Sequence, residues 1–212
     1  MLLYLHGFAS GPGSTKAQFF CRRLAERGVS LAVPDLAPDF TTMTITSQLA
    51  IVEPLLASEP AVLFGSSLGG YIATLAAARR PEQVRGLILL APAFAFAARW
   101  EARIGPSTLA RWRATGTAPV FHYGRGREEP LGIGLLDDAR RYPDAPDSRC
   151  PTLVFAGRHD DAVPLDVIEQ WTSGRPGCEL VIFDDGHELM TSLESMWERT
   201  ASFLRACAVL DA

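Results

Sequence analysis

The chain has 212 residues, 48% hydrophobic and 21% charged, with 20 basic against 24 acidic side chains and a formal net charge of −4. That is enough apolar mass for one full core, and it excludes an intrinsically disordered chain. No basic excess exists to neutralise phosphates, which argues against nucleic-acid binding, and no apolar run reaches the roughly 20 residues of a membrane helix, so no membrane span is expected.

Along the chain, short apolar runs alternate with helix-like segments. Leu2–Leu5 reads as a buried strand ending at His6-Gly7. It does not read as a signal peptide, because a basic n-region and a small-residue cleavage site are missing. Ser14 to Arg27 reads as a helix with Phe19, Phe20, Leu24 and Ala25 on one face and Gly28 as its stop. Val29–Val33 gives a second strand, closed by Pro34-Asp35, and a helix follows from about Thr46 to Ser58. Ala61–Phe64 is a third strand, Leu68–Arg80 a helix stopped before Pro81, and Leu87–Leu90 a fourth strand.

The rhythm breaks between about residues 95 and 149, where Gly, Pro, Arg and two tryptophans show no clear strand–helix unit. It resumes with strand Thr152–Ala156, helix Leu165–Ser173, strand Leu180–Phe183 and helix Glu188–Arg205. This alternation predicts an α/β protein: one domain over 1–212, with a mainly parallel six-stranded sheet and helices on both faces. The stretch at about 95–149 is too long for an ordinary loop. It is expected to form a small inserted cap above the C-terminal strand ends, where such folds bind ligands. Pro119–Tyr123, the turn-like Gly124-Arg125-Gly126 and Leu131–Leu135 suggest a hairpin within it.

Cys21, Cys150, Cys178 and Cys207 lie far apart with no C-x-x-C pair. They are expected to be free thiols in a cytoplasmic protein, and the clustered Cys/His spacing that a zinc site needs is missing.

The chemistry concentrates in Gly65-Ser66-Ser67-Leu68-Gly69-Gly70, which contains G-x-S-x-G with Ser67 at its centre. A nucleophilic serine has to stand on a sharp strand-to-helix turn, and glycines two residues away on each side remove the Cβ atoms that such a turn would crowd. Ser66 does not fit the frame, because Phe64 stands where its glycine should be. A hydroxyl is a weak nucleophile at neutral pH and needs a base oriented by a carboxylate. His187, in Asp184-Asp185-Gly186-His187 after the last strand, is the expected base. Asp160, in Gly157-Arg158-His159-Asp160-Asp161-Ala162-Val163-Pro164, is the expected acid, with its neighbour Asp161 the alternative. Oxyanion stabilisation needs two backbone donors, expected from Leu68 after the nucleophile and from Phe8 after His6-Gly7. His6 itself is expected to hold its loop by a side-chain hydrogen bond. Gly11-Pro12-Gly13-Ser14-Thr15-Lys16 lacks the G-K-[ST] spacing of a phosphate loop.

Together, His6-Gly7-Phe8, Gly65–Gly70, Gly157…Asp160…Val163-Pro164 and Gly186-His187 resemble the α/β-hydrolase superfamily, whose chain order Ser, Asp, His this sequence follows. Ser14-Thr15-Lys16-Ala17 and the Gly-Ser-Ser-Leu-Gly-Gly elbow narrow the resemblance. They are similar to the small YqiA-type bacterial esterases and to the abhydrolase-type palmitoyl thioesterases and acyl-glucuronide esterases. Larger members begin with an antiparallel hairpin, and this sequence opens at the His-Gly strand, so the expected strand order is 2-1-3-4-5-6. The resemblance implies cleavage of a small-molecule ester or thioester of a small-to-medium acyl group through an acyl-serine, without metal or other cofactor. The same triad acting on a carbon–carbon or amide bond, and a non-catalytic binding protein on this fold, stay open. Phe94, Phe96, Trp100, Trp112, Phe121 and Tyr123 make the insertion aromatic, and Trp100 and Trp112 are the expected substrate contacts. Six arginines, at 99, 103, 111, 113, 125 and 127, add local basic character there.

Overall fold

The computed structural model describes residues 1–211. In chain order the elements are β1 (Leu2–Leu5), α1 (Thr15–Ala25), α2 (Ile45–Leu56), β2 (Ala61–Ser66), α3 (Leu68–Arg79), β3 (Val84–Leu90) and α4 (Phe96–Thr115). They continue with β4 (Thr117–His122), β5 (Arg127–Gly132), α5 (Gly134–Ala139), β6 (Thr152–Gly157), α6 (Leu165–Thr172), β7 (Cys178–Phe183) and α7 (Leu193–Ala206). A parallel sheet runs β1-β2-β3-β6-β7, and β4 and β5 form a separate antiparallel pair.

Side chains alternate across each strand, so a sheet buried on both faces makes two cores. Leu3, Leu5, Leu63, Leu87, Leu89 and Val154 face one way, onto α2, α3 and α6. Leu2, Tyr4, Val62, Phe64, Ile88, Leu153 and Phe155 face the other way, onto α1 and α7. Each such fully buried aliphatic or aromatic side chain stabilises the fold by roughly 1.5–3 kcal/mol.

The sheet has five strands, and the sixth expected one, Val29–Val33, shrinks to a single parallel bridge between Leu3 and Ala32. Tyr4 N–H donates to the Ala32 carbonyl at 2.8 Å and Ala32 N–H to that of Leu2 at 3.1 Å. This edge segment has one neighbour only, that neighbour is four residues long, and Pro34 has no N–H with which to extend the ladder. Its place beside β1 is the expected one. The last helix begins at Leu193 instead of Glu188. Leu189 takes a left-handed φ of 53°, and the Asp185 carboxylate accepts from Thr191 N–H, Thr191 Oγ1 and Ser192 Oγ, so residues 188–192 stay in the loop.

Between β3 and β6 the chain forms α4, the β4–β5 hairpin and α5, and then runs irregularly over residues 140–151. Helix α4 kinks at Gly105, whose φ is 71°, just before Pro106. The hairpin pairs Pro119 with Pro130, so its second strand is Arg127–Gly132 and not Leu131–Leu135. Its turn closes early, with Arg125 and Gly126 N–H both donating to the His122 carbonyl. Leu135 and Leu136 therefore fall on α5, where they are fully buried. Gly132 N–H donates to Thr41, and Arg125 donates to the carbonyls of Ala37 and Pro38, tying this segment to the sheet's side of the molecule.

Candidate active site

Ser67 stands between β2 and α3 with φ 51° and ψ −117°, a backbone state that costs a non-glycine residue about 1–3 kcal/mol. The turn is over-determined: Ser67 N–H donates to Leu90, and the Ser67 carbonyl accepts from Gly70, Tyr71 and Ala93. A Cβ on Gly65 would lie 2.6 Å from the Gly69 carbonyl oxygen, and one on Gly69 would collide with the carbonyls of Leu5 and His6. Both glycines of the motif are thus required by the packing of α3 against β1 and β2.

His187 Nε2 lies 3.0 Å from Ser67 Oγ, and its Nδ1 lies 2.7 Å from Asp160 Oδ2. Asp160 is 8% exposed, and its Oδ1 accepts from the N–H groups of Ala162 and Val163 at 2.8 and 2.7 Å. The acid is thereby fixed before it meets the imidazole. An ionised carboxylate only accepts, so His187 donates from Nδ1 and presents the Nε2 lone pair to the Ser67 hydroxyl. A proton can pass along that path. Asp161 is exposed and makes no hydrogen bond among the described residues. Asp184 pairs with His159 at 2.7 Å on the surface, and neither side chain bonds to Ser67 or His187 among the described residues.

The loop bearing His187 lies directly on β6. A Cβ at Gly157 would come within 2.5 Å of the Gly186 oxygen and 2.6 Å of the Asp185 oxygen. Gly157, the first residue of the Gly157…Asp160…Val163-Pro164 frame, is thus one support of the site, for a reason that the spacing did not reveal. Arg99 is a second: from α4 it donates to the Phe94 carbonyl at 2.8 Å and to the Ala162 carbonyl, bracing the Asp160 loop. Lys16 is a third, donating to the Glu188 carbonyl at 2.8 Å and to its carboxylate at 2.9 Å. A lysine in the first turn of an otherwise apolar helix face was the available signal, since a cation is disfavoured there.

Ser67 opens into a cavity of about 1080 Å³. Phe8 and Leu68 line it, and among the described residues neither N–H donates to a protein acceptor. His6 is buried beneath: its Nε2 accepts from Leu36 N–H at 3.0 Å and its Nδ1 donates to the Gly7 carbonyl, which sets the loop that carries Phe8. Burial pushes the His6 pKa down, keeping the ring neutral for these two bonds.

Trp100 is on the cavity wall, with its ring 4.8 Å from that of Phe8 and nearly perpendicular to it. Trp112 is not on the wall. It sits behind Trp100 at 5.7 Å, is 4% exposed, and donates from Nε1 to Leu131, so it packs the segment on the core. Of the six arginines, 99, 103 and 125 reach the cavity; 113 pairs with Asp137 and 127 with Glu129. His122 also lines the cavity, buried edge-on against Phe40.

The sequence matches uncharacterised protein family UPF0227 over residues 1–205. The chain belongs to UPF0227. No curated protein matches it. Among solved structures, this UPF0227 chain is similar to alpha/beta hydrolase domain-containing protein 10 from mouse, with a TM-score of 0.82 and 18% identity over 97% of this chain and 89% of that one. It is similar to Est1E from Butyrivibrio proteoclasticus, with a TM-score of 0.77 and 21% identity over 98% and 87%. It is also similar to MGS-MChE2, an α/β-hydrolase enzyme from the sediment metagenome of the Mar Chica lagoon, with a TM-score of 0.68 and 20% identity over 97% and 90%. These likenesses establish the α/β-hydrolase fold. No helix among the described residues is long and apolar enough to cross a membrane.

Proposed function

We propose that this UPF0227 protein is a serine hydrolase that cleaves a carboxylic ester or thioester of a small-to-medium acyl group. The observation that carries the reading is the unbroken path Ser67 Oγ, His187 Nε2, His187 Nδ1, Asp160 Oδ2, at 3.0 and 2.7 Å, on a strained elbow. In the first step Ser67 Oγ attacks the carbonyl carbon while its proton passes to His187 Nε2. Asp160 stabilises the imidazolium, and the Phe8 and Leu68 N–H groups receive the oxyanion. The tetrahedral species collapses, and the alcohol or thiol leaves with the proton from His187. Water then gives its proton to His187 and attacks the acyl-serine, releasing the carboxylic acid and restoring Ser67.

The segment 95–149 acts in this reading as a cap, with Phe96 and Trp100 forming its apolar face toward the acyl group. Each methylene buried there contributes about 0.8 kcal/mol, so kcat/KM should climb severalfold per carbon until the pocket is full. The test is a panel of p-nitrophenyl esters and acyl-CoA thioesters of graded length, run on the native protein and on Ser67→Ala. A fluorophosphonate should label Ser67 in the native protein alone, and the alanine variant should lose on the order of 10⁴-fold in kcat. A label on another residue, or full turnover by Ser67→Ala, would overturn the reading.

A further inference from the structure

Lys16 is 8% exposed, in a residue type almost never buried unless paired. It occupies the first turn of α1, where the helix dipole opposes a cation, so α1 itself does not ask for it. Its only bonds among the described residues go to Glu188, 172 positions away and next to His187. The amino group meets the Glu188 carbonyl at 2.8 Å and its carboxylate at 2.9 Å, and the Glu188 side chain is itself 72% exposed. An exposed carboxylate contributes little as an ion-pair partner.

The loop it grips is fastened on its other flank by quite different means. The Asp185 carboxylate takes Gly186 N–H, Thr191 and Ser192, His159 N–H donates to the Asp185 carbonyl, and Gly186 lies against Gly157. All of these bonds precede His187 or return to residues beyond 190. After His187 the chain turns through Leu189 in the left-handed region, and the tie to α1 is the one that holds the Glu188 carbonyl. We infer that Lys16 is a positioning residue for His187, fixing the far side of its loop through the Glu188 carbonyl so that Nε2 stays within reach of Ser67. The inference rests on the triad reading above. It also gives a use to Ser14-Thr15-Lys16, a stretch that a phosphate loop does not explain: Ser14 caps α1 by accepting from Ala17 N–H, and this places Lys16.

A merely structural role would lower stability and activity together, whereas a positioning role lowers kcat in a protein that is still folded and leaves KM near its native value.

The experiment compares native protein, Lys16→Met, Glu188→Gln and Ser67→Ala on one p-nitrophenyl ester, with thermal unfolding of each. Lys16→Met should lose about 10- to 100-fold in kcat with KM within about threefold, while staying folded at the assay temperature. Glu188→Gln keeps the carbonyl and should lose less than Lys16→Met. Lys16→Met within twofold of native kcat, or a loss that falls on KM instead of kcat or that tracks unfolding, overturns the inference. If Lys16→Met does not fold, Lys16→Gln takes its place under the same criteria, and failure of both to fold also overturns it by making Lys16 a stability residue. If Ser67→Ala turns over as fast as native protein, the triad reading fails instead, whatever Lys16→Met does.

Discussion

Replacing Asp160 by asparagine exchanges one oxygen for an NH₂ group and should reverse one hydrogen bond. Oδ1 already accepts from the N–H groups of Ala162 and Val163, so the asparagine amide has one favourable orientation. Its oxygen stays on those two donors, and its NH₂ points at His187 Nδ1, which now has to accept. The imidazole proton then resides on Nε2, 3.0 Å from Ser67 Oγ, where it blocks proton transfer from the serine. Shape and both backbone bonds are retained, so stability should change little. The wrong tautomer costs on the order of 10⁴ in kcat, or about 5 kcal/mol of transition-state stabilisation. Asp161→Asn is the control: the side chain is exposed and unbonded, and kcat should stay within about threefold. The assay is kcat and KM on a p-nitrophenyl ester for both variants, with thermal unfolding measured alongside. Equal losses in the two variants, or the reverse ranking, would refute the reasoning. So would a loss in Asp160→Asn that tracks unfolding.

Two further outcomes test how the site is built. Gly69→Ala drives a Cβ into the Leu5 carbonyl and to 2.5 Å from that of His6, so it should lose at least about 3 kcal/mol or fail to fold, while Gly11→Ala, with open space around it, should unfold within a degree or two of native protein in a thermal scan. Trp100→Ala should flatten the chain-length profile of ester hydrolysis, whereas Trp112→Ala should keep that profile and lower stability by about 3–5 kcal/mol in denaturant unfolding.

The strands most readable in the sequence were those buried on both faces. Val62, Leu63, Phe64 and Leu87–Leu90 form continuous apolar runs because neither side of the sheet meets water. Val29–Val33 has a similar composition, but composition does not say how many partners a segment will find, and at the edge it keeps only one bridge. Segment 95–149 was opaque for a different reason. Helix α4 buries only Phe96, Ala97 and Trp112 and contains Gly105-Pro106, so it lacks the apolar periodicity that announces a helix. The same shortage of pattern hid which tryptophan faces the cavity. Both are aromatic residues on one helix, and their different fates follow from the Leu131 carbonyl and the Phe8 ring, each brought there by another part of the chain.

At the site, a short stretch of sequence carries information about a turn but not about what that turn rests on. Ser67, Asp160 and His187 were legible because each ends a strand in a recognisable local frame. Their other supports, and the reason that Gly157 is a glycine, were not. Gly157 is small because the Gly186 and Asp185 carbonyls pass over it, Arg99 is where it is because the Ala162 carbonyl needs bracing, and Lys16 answers a carbonyl at the opposite end of the chain. Every one of these is a contact to backbone, so the partner residue's identity leaves no trace in the sequence. What does leave a trace is the cost: a lysine at a helix start, a glycine in the last position of a buried strand, an arginine among apolar neighbours. Locally unfavourable residues of this kind cluster around the three proposed to do the chemistry, because a serine held at φ 51° and a histidine on an irregular loop depend on their surroundings to keep them in place.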